Sequence, residues 1–142
     1  MAIATVVPHV SNKVDADLET TIALADGAAG VNSASIDTGA GVHIVGRQIE
    51  VEAPAMNVTE MPDAKTMIYD IQDSADDSSF ADISELVAVI TQTGAGGVGC
   101  ATSVNRIGLP ADHRRYVRLS PTGSASGDAT TATAEVRVLA NS

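Results

Sequence analysis

An acidic stretch in the middle of the chain holds the residues best suited to bind a cation. Asp73, Asp76 and Asp77 lie in a polar segment that continues through Ser78 and Ser79. Carboxylate oxygens in a loop suit Ca²⁺, so these three aspartates are the candidate metal ligands, although an EF-hand would require a glycine at the sixth position and a glutamate at the twelfth. The alternative, which we favour, is a turn whose Asp and Ser side chains bond local backbone N–H groups. We therefore predict no metal and no other cofactor.

A glycine-rich segment and a lone cysteine are the other features that suggest chemistry. The segment 94–99 resembles a phosphate-binding loop, but Cys100-Ala101 stands where a P-loop needs Lys followed by Ser or Thr. Strand-like residues follow it rather than the helix of a dinucleotide-binding fingerprint, so we predict a flexible loop between strands. Cys100 has no histidine nearby in sequence and is predicted to be a small buried side chain. The histidines are scattered, at His9, His43 and His113. The sequence thus predicts no enzyme active site.

The basic residues are concentrated in one segment. Half of the 8 Lys and Arg residues lie between Arg106 and Arg118. In a chain with a net charge of −10, this cluster is a candidate contact with an acidic partner or with an acidic loop of another subunit. The alternative is pairing within the chain, for example with Glu135 or with an aspartate in the 70s. The candidate subunit contact consists of Arg106, Arg114, Arg115 and Arg118.

The composition excludes several classes of partner. The chain has 142 residues, with 18 Asp and Glu against 8 Lys and Arg. We therefore expect no binding to nucleic acid, because neutralising phosphates requires Lys and Arg, and no binding to an anionic membrane. No apolar run approaches the roughly 18–20 residues that span a bilayer. Residues 1–10 lack the pattern of a signal peptide, which predicts synthesis in a cytosol.

Strands must position all of these residues. The chain is rich in Val, Ile and Thr and has only 2 Tyr, 1 Phe and no Trp, which favours strands around a thin aliphatic core. We predict an N-terminal arm over 1–17 and a single β-sandwich domain over 18–142. Strands are expected at 18–25, 31–38, 42–53, 65–73, 84–93, 100–109, 114–120 and 130–140, with turns at 26–27 and 121–128. About eight short strands at regular spacing predict an all-β, antiparallel, jelly-roll-like β-sandwich.

Alternation within two of these strands predicts which side chains are buried. In 65–73 the inward residues are Met67, Tyr69 and Ile71. In 130–140 the inward residues are Ala132, Ala134, Val136 and Val138. Gly46 lies inside the strand 42–53 and is expected to mark a bulge or a bend.

Two segments carry a resemblance to a known family. The strand Met67–Gln72 runs into Asp73-Ser74-Ala75-Asp76-Asp77-Ser78-Ser79-Phe80, which together contain the pattern QxSxDxxxF. Later, Leu109-Pro110 is followed by Arg114-Arg115-Tyr116-Val117-Arg118-Leu119, the pattern RRYxRL. With the Thr- and Ala-rich strand that follows, these segments resemble the jelly-roll capsid cement (decoration) proteins of tailed bacteriophages. The resemblance covers roughly the C-terminal half of the chain.

The resemblance implies a structural function rather than an enzymatic one. Proteins of this family bind the outside of an assembled capsid, often as trimers at threefold or quasi-threefold axes, and stabilise the shell against the pressure of its DNA. The partners it implies are a major capsid protein and further copies of the chain in a homotrimer, and the location it implies is the capsid exterior of a virion. The alternative function is a carbohydrate-binding or receptor-binding β-sandwich module of a phage tail or head fibre.

Overall fold

The structure is a β-sandwich made of two antiparallel sheets. It is a computed structural model that describes residues 13–25, 30–39, 47–124 and 127–140. The strands are β1 (Lys13–Ala23), β2 (Ile36–Asp37), β3 (Gln48–Ala53), β4 (Thr66–Ser74), β5 (Ala81–Asp82), β6 (Ile90–Thr93), β7 (Ser103–Gly108), β8 (Tyr116–Gly123) and β9 (Thr133–Ala140). A 3₁₀ helix, Ser84–Leu86, lies between β5 and β6. The predicted all-β antiparallel sandwich is confirmed, with nine strands in these described ranges in place of about eight.

The order of the strands is that of a jelly roll. The first sheet has the order β1-β9-β3-β7, and in the second β2 pairs with β8, β8 with β4, and β4 with both β5 and β6. Apart from β4, β5 and β6, which share a sheet, every connection between consecutive strands carries the chain to the opposite sheet. The first strand lies beside the last. Two sheets wound around each other in this way are the jelly-roll arrangement that the sequence predicts.

The connections collect at the two ends of the sandwich, as the strand registers show. One end, which we call the glycine end, holds residues 54–65, 94–102 and 127–132. The other, which we call the arginine end, holds residues 75–80 and 109–115. Because β4 and β8 are antiparallel, Met67 and Gly123 meet at the glycine end while Ser74 and Tyr116 meet at the arginine end.

Aliphatic side chains fill the space between the sheets. The predicted inward face of β4 is confirmed, because Met67, Tyr69 and Ile71 are buried. The Tyr69 hydroxyl donates a hydrogen bond to Gln92 Oε1 at 2.8 Å, so the polar end of this buried ring has a partner. The predicted inward set around β9 is also confirmed: Ala132, Ala134, Val136 and Val138 are buried.

The predicted strand 84–93 is wrong over its first half. β5 and β6 pair with β4, but between them the chain leaves the ladder and forms the 3₁₀ helix. The Asp70 carboxylate accepts a hydrogen bond from the Ala88 N–H at 2.6 Å, and Ala88 has a left-handed φ of 54°. Leu86 folds inward and is only 1% exposed. The Asp70 side chain on β4 thus accepts the hydrogen bond from the Ala88 N–H, which in a continuous strand would go to a backbone carbonyl of β4.

The predicted turn 121–128 begins too early, because β8 continues through Pro121 to Gly123. Proline has no N–H to donate to a ladder. The Pro121 carbonyl accepts a hydrogen bond from the Val31 N–H at 3.2 Å, so this side of Pro121 faces the irregular segment 30–35 and not a regular strand. The missing donor therefore interrupts no strand pairing.

Other predicted boundaries shift near the N-terminal part of the domain. β1 begins at Lys13, inside the segment 1–17 that we predicted to be an arm, and the predicted strand 31–38 narrows to β2. The predicted turn at 26–27, Gly46 and residues 1–12 lie outside the described residues. Among the described residues, no helix is long and apolar enough to cross a membrane.

Candidate functional site

The two segments that carry the resemblance lie side by side at the arginine end. The register of β4 with β8 places Gln72 opposite Arg118. Gln72 Oε1 accepts a hydrogen bond from Arg118 Nε at 2.8 Å. The same guanidinium lies over the Phe80 ring, with its central carbon 4.0 Å from the ring centroid, which is cation–π geometry. One arginine of the second segment therefore holds two residues of the first. We call residues 72–80 together with residues 114–119 the motif unit.

An ion pair between Asp73 and Arg114 joins the two halves of the motif unit. Asp73 Oδ1 accepts a hydrogen bond from Arg114 Nε at 2.8 Å, and Oδ2 accepts one from the Arg114 backbone N–H at 2.8 Å. Asp73 is only 7% exposed, and a carboxylate this buried needs charged or hydrogen-bonding partners. This is the pairing with an aspartate in the 70s that we set out as the alternative to a subunit contact. Asp73, a candidate metal ligand, is thus engaged in holding strands together.

Asp76 organises the loop between β4 and β5. Its Oδ1 accepts hydrogen bonds from the backbone N–H of Ser79 at 2.9 Å and of Ser78 at 3.0 Å, and from the Ser74 hydroxyl at 2.8 Å. These donors, with the Ser79 N–H the strongest, lower the pKa of the Asp76 carboxyl to about 2. Asp76 therefore caps local backbone groups, as the turn interpretation predicts.

The third aspartate, Asp77, is exposed at the tip of the same loop. Its φ of 60° lies in the left-handed region, which aspartate tolerates better than most residues. Among the residues that the structure describes, no group of three or more His, Cys, Asp or Glu side chains is arranged to hold a metal ion.

The remaining two arginines of the candidate subunit contact also have partners within the chain. Arg115 Nε lies 2.7 Å from Asp37 Oδ1, and the hydrogen bond from Arg115 lowers the pKa of Asp37 to about 2. Arg106 Nη2 lies 2.6 Å from Glu50 Oε2. Solvent still reaches 40–43% of the side-chain surface of Arg106, Arg114 and Arg115. Each of these arginines is therefore partly exposed although its carboxylate partner belongs to the same chain. A contact of this cluster with another subunit stays a prediction.

A row of alternating charges, which the sequence did not reveal, crosses the outer face of the first sheet. The row is Glu19 on β1, Arg137 on β9, Glu50 on β3 and Arg106 on β7, each opposite its neighbour. Glu50 is 8% exposed, and its two oxygens accept from different arginines. Burial acts to raise the pKa of Glu50, but the hydrogen bonds from Arg106 and Arg137 outweigh it and lower the pKa.

The glycine-rich segment 94–99 is a closely packed loop at the glycine end. A Cβ on Gly99 would lie 1.9 Å from the Met56 carbonyl oxygen, and a Cβ on Gly94 would lie 2.3 Å from that of Pro62. The Cys100 N–H donates to the Met56 carbonyl at 2.9 Å. The loop prediction is confirmed, but these two glycines permit two backbones to touch, which is a different role from supplying flexibility.

Among the residues that the structure describes, Cys100 and His113 have no partner that would make either of them a catalytic pair. Cys100 is half-buried, and burial is the main cause that raises the pKa of its thiol. A thiol with a raised pKa is a poor nucleophile. His113 Nδ1 lies 2.8 Å from the Arg114 carbonyl oxygen. His9 and His43 lie outside the described residues.

No protein-family model matches the chain, and no curated protein matches it. Among solved structures, the chain is similar to a crystal structure of PirA, with a TM-score of 0.45 and 10% sequence identity, over 89% of this chain and 97% of that chain. A likeness at this level carries no argument about function.

Proposed function

We propose that this chain is a structural virion protein of the capsid cement class. In this proposal it binds the outer surface of an assembled phage capsid through the major capsid protein, acts as a homotrimer and stabilises the shell. The observation that carries the proposal is the motif unit. Two short patterns that are typical of the family, about forty residues apart in sequence, pack directly against each other through Arg118.

The packing of the motif unit supports the resemblance because it gives each shared residue a structural task. Gln72 orients Arg118, Phe80 lies under it, and Asp76 folds the loop between them. Residues that recur for structural reasons are expected to recur together. A chance match of either pattern alone would leave the other without a partner.

The states of the reactive groups support a non-enzymatic function. The candidate metal ligands Asp73 and Asp76 are engaged with Arg114 and with backbone N–H groups. The raised pKa of Cys100 disfavours its use as a nucleophile. Multivalent binding to a shell needs no such group, because many weak contacts act together.

The alternative, a carbohydrate-binding or receptor-binding module of a tail or head fibre, has less support from the aromatic residues. Sugar stacking needs an accessible ring face. Tyr69 is fully buried, the Phe80 ring lies under Arg118, and Arg115 lies 5.0 Å from the centroid of the half-buried Tyr116 ring. The rings of Tyr69, Phe80 and Tyr116 are therefore each buried or covered by an arginine, which leaves less ring surface for a sugar.

The direct test is binding to mature, expanded capsids assembled without this protein, from the phage that encodes it. The purified chain is mixed with such capsids, and its binding is measured by co-sedimentation. The temperature at which the capsids release their DNA is then measured with and without the bound chain. We expect saturable binding in a multiple of three copies and a higher release temperature. Unexpanded procapsids from the same phage serve as the matched control surface.

A glycan array run with the same preparation separates the two functions. Retention on a glycan without any binding to expanded capsids would overturn the cement proposal in favour of the carbohydrate-binding alternative. Binding to capsids with no change in their stability would overturn the stabilising part of the proposal.

A further inference from the structure

Arg47, the residue before β3, is a buried arginine that is held in one orientation. It is only 7% exposed, and it alternates with Ile49 and Val51, which are fully buried between the sheets. Its Nη1 donates a hydrogen bond to the Thr38 carbonyl oxygen at 2.8 Å. Thr38 is itself fixed, because its N–H and its hydroxyl both donate to the Arg115 carbonyl oxygen, at 2.9 and 2.5 Å. The Arg47 guanidinium is therefore anchored at the arginine end of the sandwich.

The edge of this guanidinium that carries Nε and Nη2 is the part without a partner. Nε is enclosed and has no hydrogen-bond partner. Among the described residues, no Asp or Glu forms an ion pair with Arg47. The Nε–H and one Nη2–H of an arginine are parallel and form a fork that matches the oxygens of a carboxylate or a phosphate.

Two other arginines of the chain use this same edge to hold an anion. Arg115 donates from Nε to Asp37 Oδ1 at 2.7 Å and from Nη2 to Oδ2 at 2.8 Å. Arg106 donates from Nε and Nη2 to Glu50 Oε2, at 3.1 and 2.6 Å. Both of these arginines are partly exposed, whereas Arg47 is buried. Arg47 has the greater need of a counter-charge, because a buried charge without a partner is costly.

The chain does not lack acidic side chains, since it has 18 Asp and Glu residues. At the arginine end, the Asp37 carboxylate is engaged by Arg115 and the Asp73 carboxylate by Arg114. Asp76 accepts hydrogen bonds from backbone N–H groups of its own loop. Arg47 is therefore the cation at this end to which the described carboxylates give no counter-charge.

The surroundings of Arg47 leave room for a small ion. Part of the residue reaches solvent, unlike Ile49 and Val51, which are 0% exposed on the same side of β3. Gly39 follows the carbonyl to which Arg47 donates, and a Cβ added to Gly39 would meet nothing within 4 Å. The approach beside this carbonyl is therefore open.

We propose that Arg47 binds one small oxyanion, a carboxylate or a phosphate, on its Nε and Nη2 edge. Two parallel charge-assisted hydrogen bonds hold the oxyanion, and its charge neutralises the buried guanidinium. The Thr38 carbonyl keeps the fork in place, so little side-chain freedom is lost on binding. This inference goes beyond the proposed function, because it requires neither a capsid nor a second copy of the chain.

The test is a titration of the purified full chain with inorganic phosphate and, separately, with acetate, each compared with chloride at the same pH and ionic strength. NMR follows the Nε–H signal of Arg47, for which we expect a saturable shift with a Kd of about 1 mM or tighter. At about 100 times the Kd, the equilibrium constant for unfolding should fall about 100-fold. Phosphate also stabilises proteins without binding to them, so variants are measured in the same buffers.

Three variants separate the fork from charge alone. Arg47→Met removes the fork and the charge and should abolish the saturable effect. Arg47→Lys keeps the charge but has no fork, so we expect binding that is weaker by about tenfold or more. Arg106→Met is the matched control, because it removes a fork that already holds Glu50, and it should bind the anion as the wild type does.

The outcomes decide both the site and the class of anion. No saturable Nε–H shift with either anion, or equal affinity of Arg47→Met and the wild type, would overturn the proposal. Binding of phosphate alone or of acetate alone would support it and identify the class. Circular dichroism shows whether each variant is folded, and if the Arg47 variants are not, the wild-type Nε–H shift is the deciding measurement. If the anion binds but the chain does not bind expanded capsids, the anion site stands and the cement proposal fails.

Discussion

The two ends of the sandwich are built on different physical principles. At the glycine end, backbones touch directly: Gly94 and Gly99 lie so close to residues 56–62 that a single added carbon has no space. At the arginine end, side chains span the gaps, and Arg114, Arg115 and Arg118 each hold a residue from another strand or loop. The first end is therefore sensitive to added atoms, and the second end is sensitive to the removal of a charge.

The largest effect is expected from Gly99→Ala at the glycine end. The new methyl group would lie 1.9 Å from the Met56 carbonyl oxygen, and the residue has a φ of +78°. Displacing a backbone and straining φ together are expected to cost about 3 kcal/mol or more of unfolding free energy. Urea unfolding of the purified variant measures the loss.

Gly97→Ala is the matched control for this prediction. Gly97 lies in the same loop with a φ of +71°, but a Cβ there has nothing within 4 Å. Gly97→Ala should lose only the unfolding free energy that comes from the strained φ, about 1 kcal/mol. Equal losses in the two variants would show that the close approach of the backbones is not what stabilises this end.

Asp73→Asn should have the next largest effect, at the arginine end. The amide keeps the shape but removes the charge that pairs with Arg114 at 2.7 Å. For a buried, charge-assisted pair we expect a loss of about 2 kcal/mol, measured by urea unfolding. Asp37→Asn breaks the exposed pair with Arg115 and should cost less. If Asp37→Asn were the more costly change, burial would not be what makes the Asp73 pair matter.

A smaller effect, which disappears in acid, is expected from Asp76→Asn. The pKa of Asp76 is lowered from 3.8 to about 2 in the folded chain. Its stabilising contribution is therefore complete above pH 3.8 and is lost as the pH falls from 3.8 through about 2. The difference in unfolding free energy between wild type and variant should be constant near neutral pH and shrink over that window.

The measurement for Asp76 is urea unfolding at constant ionic strength over a series of pH values. Asp37 and Glu50, whose pKa values are also lowered, titrate in both proteins and cancel in the comparison. A difference that stays the same down to pH 2 would contradict the assignment of the Asp76 carboxylate as the group that caps this loop.

The smallest effect is the coupling between Arg118 and Phe80. A double-mutant cycle of Arg118→Met and Phe80→Leu isolates the contact, in which the central guanidinium carbon of Arg118 lies 4.0 Å from the Phe80 ring centroid. We expect a coupling energy of about 0.5–1 kcal/mol, typical of a partly exposed cation–π pair. A coupling indistinguishable from zero would mean that the contact of Arg118 with the Phe80 ring does not stabilise the motif unit, which would leave Arg118 held by Gln72.

The sequence predicts best those elements whose pattern is local. The inward residues of β4 follow from alternation, and the structure buries Met67, Tyr69 and Ile71 as expected. The prediction of a strand over 84–93 was wrong because the interruption depends on Asp70, which belongs to a different strand and accepts a hydrogen bond from the Ala88 N–H. Alternation within a segment contains no information about an acceptor supplied from elsewhere.

The same limit applies to the candidate site. Clustering in sequence identified Arg114 and Asp73, and the structure brings them together. The charge row through Glu50 and Arg137 was missed, because its members are spread over four strands and become neighbours only through the register. The role of Gly99 was missed for a similar reason, since its contact, Met56, is distant in sequence. Residues at short spacing reveal local capping, whereas contacts between strands require the topology.

The neighbouring positions of the first and last strands have a mechanical consequence. Lys13 lies opposite Ala140 in the antiparallel pair of β1 and β9. A force that pulls these two residues apart would load the hydrogen bonds between the two strands one after another, as a zipper opens, and not all at once in shear. A load spread over the sheets would have no such starting point. We therefore expect the sandwich to open more readily under a force applied between Lys13 and Ala140 than under a load spread over its sheets.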